Sequence, residues 1–229
     1  MTKVIAHRGA SATHRENTVA AFVAAVEQGA DGVELDVRRT ADGRLVVHHD
    51  PHYDDRRLVH DVDAADRPDH VPTLDAALDA CGSLLVNIEI KNGRREAGFD
   101  PARSVAVDVV EVVRRRGMVG QVVVSSFDLS TVDRVKDLAP VIATGWLVRL
   151  GLRRSQLDRC VRHGHGYLHP WDRSVTAALV AGARNRGLGL NVWTVDQPAR
   201  IARLAGWGVD GIVTNVPHLA RDVLGSADS

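Results

Sequence analysis

Gly32-Val33-Glu34-Leu35-Asp36-Val37 is the stretch on which the reading of this chain turns. Val33, Leu35 and Val37 alternate with two carboxylates, the period of a β-strand. Side chains two apart on a strand share a face, so Glu34 and Asp36 point the same way. Two carboxylates on one face repel unless something positive lies between them. A divalent cation with oxygen ligands suits that place. An ordinary strand with one solvated acidic face is the plain alternative, and the surrounding sequence decides between them.

Upstream, Val4-Ile5-Ala6-His7 is a short buried strand that ends in Arg8-Gly9. Small and apolar residues then recur at helical spacing from Glu16 to Gln28, with Asn17 or Thr18 as cap and Gly29 as stop. Downstream, Thr40-Ala41-Asp42-Gly43-Arg44 is a turn signal before a second strand, Leu45–His49. The connection is too short for a helical crossover, so the two strands form an antiparallel hairpin. A two-residue loop at Ala41-Asp42 sets His49 opposite Glu34, and this is the expected register. A glycine bulge at Gly43 shifts it by one residue and turns His49 away.

Residues 51–72 read as a polar loop, and Thr73 caps a helix over 74–80. Leu84–Lys91 is the next strand, apolar in its first half as buried parallel strands are, with Glu89 and Lys91 together on one face at its end. Strand and helix patterns then alternate to about Leu224, and Gly225–Ser229 reads as a frayed tail. Without the hairpin's return arm there are eight strands, each followed by a helix. That alternation predicts a closed (β/α)8 barrel. A doubly wound open sheet is the alternative, but no glycine-rich phosphate loop follows the first strand. Residues 1–229 are expected to form a single domain.

In such a barrel, function gathers where the strands end. His7 and Arg8, Glu34 and Asp36, His49, Glu89 and Lys91, and Trp193 all fall there. Three carboxylates suit a hard cation, Mg²⁺ or Ca²⁺. Two histidines suit a general acid and a general base, and Arg8 and Lys91 suit an anionic group such as phosphate. Together these residues describe attack at phosphorus. The 29 basic and 29 acidic residues cancel, which argues against a nucleic-acid surface and for a small phosphodiester. No signal peptide or membrane-length apolar run is visible, and Cys81 and Cys160 match no metal spacing. A cytoplasmic protein with reduced, structural cysteines and no stable membrane insertion is expected; the oligomeric state is left open.

The ordered set His7-Arg8-Gly9, Glu16-Asn17-Thr18, Glu34-Leu35-Asp36-Val37, His49-Asp50, Glu89-Ile90-Lys91, Trp193-Thr194-Val195 and Thr214-Asn215-Val216-Pro217 resembles the glycerophosphodiester phosphodiesterases. These are TIM-barrel enzymes related to the phosphoinositide-specific phospholipases C. The resemblance implies that Glu34, Asp36 and Glu89 hold the metal and that His7 and His49 are the acid–base pair. It further implies that Arg8 and Lys91 contact phosphate, that Trp193 packs on the glycerol or lipid part, and that Asn17 holds the active-site loop. The implied reaction hydrolyses a diester such as glycerophosphocholine to glycerol 3-phosphate and an alcohol, with water or a substrate hydroxyl attacking first. Two departures stand out. Asn215 replaces an aspartate found in many members, and the insertion after the His-Asp motif is reduced to residues 51–72. A lysophospholipase D-type activity on the same site and a non-catalytic phosphodiester-binding module are the rival readings.

Overall fold

The computed structural model describes residues 1–149 and 153–225. The expected tail from Ser226 onward lies outside the described residues. The strands are β1 (Lys3–His7), β2 (Gly32–Arg39), β3 (Leu45–Val47), β4 (Leu85–Ile90), β5 (Val122–Ser126), β6 (Ala143–Val148), β7 (Tyr167–Pro170), β8 (Gly189–Val192) and β9 (Gly211–Thr214). Apart from β3, all pair in parallel, in the order β1-β9-β8-β7-β6-β5-β4-β2, and β1 pairs with β2 to close the ring. The helices α1 (Val19–Glu27), α2 (Leu74–Cys81), α3 (Ser104–Arg115), α4 (Leu129–Leu138), α5 (Arg154–Arg162), α6 (Ala177–Arg184), α7 (Pro198–Trp207) and α8 (Pro217–Gly225) follow the barrel strands in turn. This is the (β/α)8 barrel.

Alternation along each strand sorts residues between two cores. Val33, Leu35 and Val37 of β2, and Val86, Ile88 and Ile90 of β4, face outward and pack in one apolar cluster with Phe22, Leu74, Leu78 and Val109 of the helices. Each such fully buried side chain contributes roughly 1.5–3 kcal/mol. The intervening residues, Glu34, Asp36, Asn87 and Glu89, are thereby committed to the barrel interior. The first helix starts at Val19, directly after the second of its two expected caps. Thr18 is the cap, accepting a hydrogen bond from Ala21 N, and this leaves Glu16 and Asn17 free to act in the site.

The hairpin corrects the expected register. Val37 pairs with Val47, Arg38 with Val46 and Arg39 with Leu45, which is the register of the glycine bulge. Ala41-Asp42-Gly43 form a three-residue loop closed by Thr40 N donating to Arg44 O, 2.9 Å. Gly43 has φ +77°, a left-handed conformation that costs glycine nothing. His49 nevertheless reaches the site, because the ladder ends at Val47 and the chain then bends inward. His48 N donates to Asp36 O (2.9 Å), and the Arg38 guanidinium donates twice to His49 O (2.9 and 2.6 Å).

Residues 51–72 are more ordered than a polar loop. Tyr53, Val59, Val62 and Val71 bury themselves against Val46 in a small core of their own. The reduced insertion is thus a packed arm. Cys81 and Cys160 are free and buried, and burial pushes both thiols up to about 12.

Candidate active site

Strand register assembles the site in two tiers. His7 of β1 pairs with Glu34 of β2, and Glu34 with Asn87 of β4. One tier nearer the C-terminal end, Asp36 pairs with Glu89, and Glu89 with Ser125 of β5. A carboxylate oxygen from each of Glu34, Asp36 and Glu89 lies within 4.8 Å of the other two, and all three residues are buried.

Two cations accompany these three acids. The Lys91 ammonium sits 2.9 Å from Asp36 Oδ1 and also donates to Glu89 Oε1. Arg8 Nε lies 3.1 Å from Asp36 Oδ2, Arg8 N donates to Glu34 Oε2 (3.0 Å), and its Nη1 donates to Glu16 (2.8 Å). Asn17 completes the cradle, donating from Nδ2 to Asp36 Oδ2 (2.8 Å) and accepting from Asp36 N. Asp36 is desolvated, yet Lys91 and Arg8 outweigh that burial and hold its carboxyl below the usual range. Glu34 goes the other way. Burial, then Asp36 and Glu89, raise its pKa well above the ordinary carboxylate value.

That imbalance tests the fit of a metal. Three buried carboxylates face two cations, and Glu34 Oε1 is buried with no hydrogen-bond partner. An orphaned buried oxygen is costly unless protonated or bound to a cation. An all-oxygen donor set suits a hard divalent ion. Glu34, Asp36 and Glu89 are therefore fit to hold one.

The histidines flank this group with defined tautomers. Asn215 Nδ2 donates to the Asp196 carboxylate, 2.7 Å, so its carbonyl oxygen must face His7. His7 Nδ1 then donates to Asn215 Oδ1 (2.7 Å), leaving Nε2 with a free lone pair. Asp196 also accepts from Asn215 N and Thr214 Oγ1. The residue that departs from the family pattern thus connects His7 to a carboxylate one step behind it. His49 Nδ1 donates to Asp50 (2.7 Å), and its Nε2 is likewise free. Burial lowers both imidazoles below the usual value of 6.5, with Arg8 adding to the effect at His7.

The remaining wall is neutral apart from Arg149 at its rim. Trp193 donates from Nε1 to His169 O (2.8 Å) and meets Phe127 edge-to-face at 5.5 Å. Phe127, Leu147, Arg149, His169 and Val213 line the cavity with it, opposite His7, Glu34, His49, Glu89 and Lys91. All eight site residues expected from sequence meet around this one cavity or its carboxylate floor. Sequence reasoning missed Arg38, Asn87, Phe127, Arg149 and Asp196. Arg38 carries the one available signal: it follows Asp36 by two residues, so it shares Asp36's side of the strand. Ser126 of β5 and Trp146 of β6, which pair with each other, face away from the cavity: Ser126 donates to Ile90 O, and Trp146 packs in the helix layer.

Comparison with known proteins places the chain in a family. The model of the glycerophosphoryl diester phosphodiesterase family matches residues 7–219. A glycerophosphodiester phosphodiesterase of Caldanaerobacter subterraneus subsp. tengcongensis is 35% identical over 95% of both chains. The solved glycerophosphodiester phosphodiesterase of Thermotoga maritima superposes with a TM-score of 0.84 at 27% identity, covering 97% of this chain and 98% of that one. An Oleispira antarctica phosphodiesterase, solved with the product sn-glycerol-3-phosphate, shares the fold at a TM-score of 0.88 and 22% identity, with 98% and 97% coverage. Matched along nearly its whole length in sequence and in fold, the chain belongs to the glycerophosphoryl diester phosphodiesterase family and is a phosphoric diester hydrolase.

Proposed function

We propose that this chain is a single catalytic domain that hydrolyses small glycerophosphodiesters, such as glycerophosphocholine, to glycerol 3-phosphate and an alcohol, with Mg²⁺ or Ca²⁺ as cofactor. The observation that carries this reading is the juxtaposition of three buried carboxylates, one with an orphaned oxygen, and two imidazoles whose Nε2 atoms are free. Glu34, Asp36 and Glu89 would hold a divalent cation, which would supply charge neutralisation for the phosphoryl group. Arg8 adds positive charge for the phosphate. Lys91, held between Asp36 and Glu89, adds a second positive charge beside the phosphate. One neutral imidazole, His7 or His49, accepts the proton of the attacking water as the new P–O bond forms, or of a substrate hydroxyl that closes a cyclic phosphate which water then opens by the same two groups with their roles reversed. The other, entering as imidazolium, gives its proton to the departing alcohol oxygen as the old P–O bond breaks. Protons balance after each turnover by exchange with water.

Trp193 takes the glycerol or its acyl extension. The exposed Phe127 beside it supports a second substrate class, lysophospholipids, whose acyl chain needs an apolar mouth. A formal net charge of zero favours a small diester over nucleic acid. No helix among the described residues is long and apolar enough to cross a membrane, and we read the enzyme as cytoplasmic. The deciding experiment incubates metal-stripped protein with glycerophosphocholine or lysophosphatidylcholine, adding back Mg²⁺, Ca²⁺ or neither. Glycerol 3-phosphate released from glycerophosphocholine, or lysophosphatidic acid from lysophosphatidylcholine, only with metal is the expected result. Equal release without metal, or none from either substrate, overturns the assignment.

A further inference from the structure

We propose that Asp133, His163 and His165 form a second metal site, for Zn²⁺ or a similar borderline transition ion, in the outer layer of the barrel. It does not rest on the phosphodiesterase reading, because its residues lie outside the cavity described above. His163 is the last cap of α5, Gly164 follows with φ +75°, and His165 leads into β7. The left-handed glycine reverses the chain so that both imidazoles face Asp133 on α4. Asp133 Oδ1 lies 2.8 Å from His163 Nδ1 and 3.1 Å from His165 Nε2. One donor atom from each of the three residues lies within 4.8 Å of the others. Ligands about 2.0 Å from a tetrahedral ion stand about 3.3 Å apart, so small adjustments would seat one.

The surroundings support a ligand role. His165 is buried, and its Nδ1 is 3.0 Å from Thr144 Oγ1 on the outward face of β6. Without metal, Nε2–H donates to Asp133 and Nδ1 accepts from the Thr144 hydroxyl; a metal taking Nε2 would displace that proton, and Thr144 can then turn to accept from Nδ1–H, as the outer partners of metal-binding histidines do. His163 and Asp133 are each about one-third exposed, at 33% and 32% of their side-chain surface, which leaves an entry path and a fourth position for water. Lys136, one turn along α4, is the nearby cation, and it donates to Pro140 O (2.8 Å). Two imidazoles distinguish this donor set from the all-oxygen set inside the barrel, so the two sites should prefer different ions. The consequence is a cross-link between α4 and the turn into β7.

The test uses the full chain, metal-stripped and held in excess Mg²⁺ to saturate the carboxylate group. Co²⁺ is expected to give the strong visible absorption of a tetrahedral nitrogen-ligated ion at one equivalent, and Zn²⁺ to displace it and raise the unfolding temperature. His163→Gln, at a partly exposed position, should abolish both signals with diesterase activity unchanged. Should that variant fold poorly, Asp133→Asn serves in its place. Thr144→Val should weaken Co²⁺ binding roughly 10- to 100-fold. Absence of the absorption in the unaltered protein, or its full retention in His163→Gln and Asp133→Asn, overturns the proposal.

Discussion

The two halves of the barrel wall differ in kind. Strands β1, β2 and β4 send His7, Glu34, Asp36, Asn87 and Glu89 inward, with Lys91 just beyond β4. Strands β5 to β9 answer with Ser125, Leu147, His169, Trp193 from just beyond β8, and Val213, none of them carrying a fixed charge; the charge on this side is Arg149, past the end of β6 at the mouth. His7 and the three carboxylates come from three adjacent strands, where register holds them to within a few ångströms, and His49 joins them from beyond β3. The facing wall supplies shape and a low dielectric, which strengthens every charge interaction opposite. Changes on the charged wall should therefore cost rate, and changes on the neutral wall should cost affinity or stability.

The largest effect is expected from Glu34→Gln or Glu89→Gln. Either removes a metal-ligand charge without changing volume, a loss of several kcal/mol of transition-state stabilisation, on the order of a thousandfold in kcat/KM. Steady-state kinetics across a Mg²⁺ titration would check it; full activity in either variant would break the comparison. Next, His7→Ala and His49→Ala should each cost about 10²- to 10⁴-fold in kcat with KM little changed. Arg38→Met should reproduce part of the His49 loss alone, since Arg38 reaches the reaction only by holding the His49 carbonyl.

The charged wall was also the legible one. Glu34, Asp36, Glu89 and Lys91 could be placed from a strand period of two, because that period survives any error in where a strand begins. His49 shows the limit. Its register depended on whether Gly43 adopts positive φ, a choice between two turns of nearly equal length. Its final position depended on Arg38, eleven residues away, capturing a carbonyl. The neutral wall was opaque for a different reason. Phe127 and Arg149 lie past the ends of β5 and β6, where no periodicity applies, and only closure of the ring brings them opposite β2. Asp196 was hidden in the same way, since its role exists only through Asn215.

His169 sharpens the contrast through stability. It is fully buried, and its Nε2 accepts from Asn191 Nδ2 at 3.2 Å. Burial pushes its pKa down to about 3. The unfolded chain takes up this proton near pH 6.5 and the folded chain does not, so stability falls as pH drops from about 6.5 towards 3. It is unaffected by this group above that window. The slope is up to ~1.4 kcal/mol per pH unit, or about 2 kcal/mol at pH 5. Urea denaturation of the parent and of His169→Asn at pH 7, 6 and 5 would isolate the difference. An unchanged difference across that range would show that His169 is not held neutral.

The smallest effect belongs to the mouth. Phe127 is 38% exposed, touches Trp193 edge-to-face, and lies under the Arg149 guanidinium at 5.9 Å. An aromatic pair of this kind is worth about 0.5–1.5 kcal/mol beyond its buried area. Phe127→Ala should therefore raise KM roughly two- to tenfold and leave kcat nearly unchanged, because no reacting atom is near it. The change should be larger for lysophosphatidylcholine than for glycerophosphocholine if the aromatic pair meets an acyl chain, and equal for both if it meets only glycerol. A fall in kcat instead would mean that Trp193 positions the phosphate, and that the neutral wall takes part in the chemistry after all.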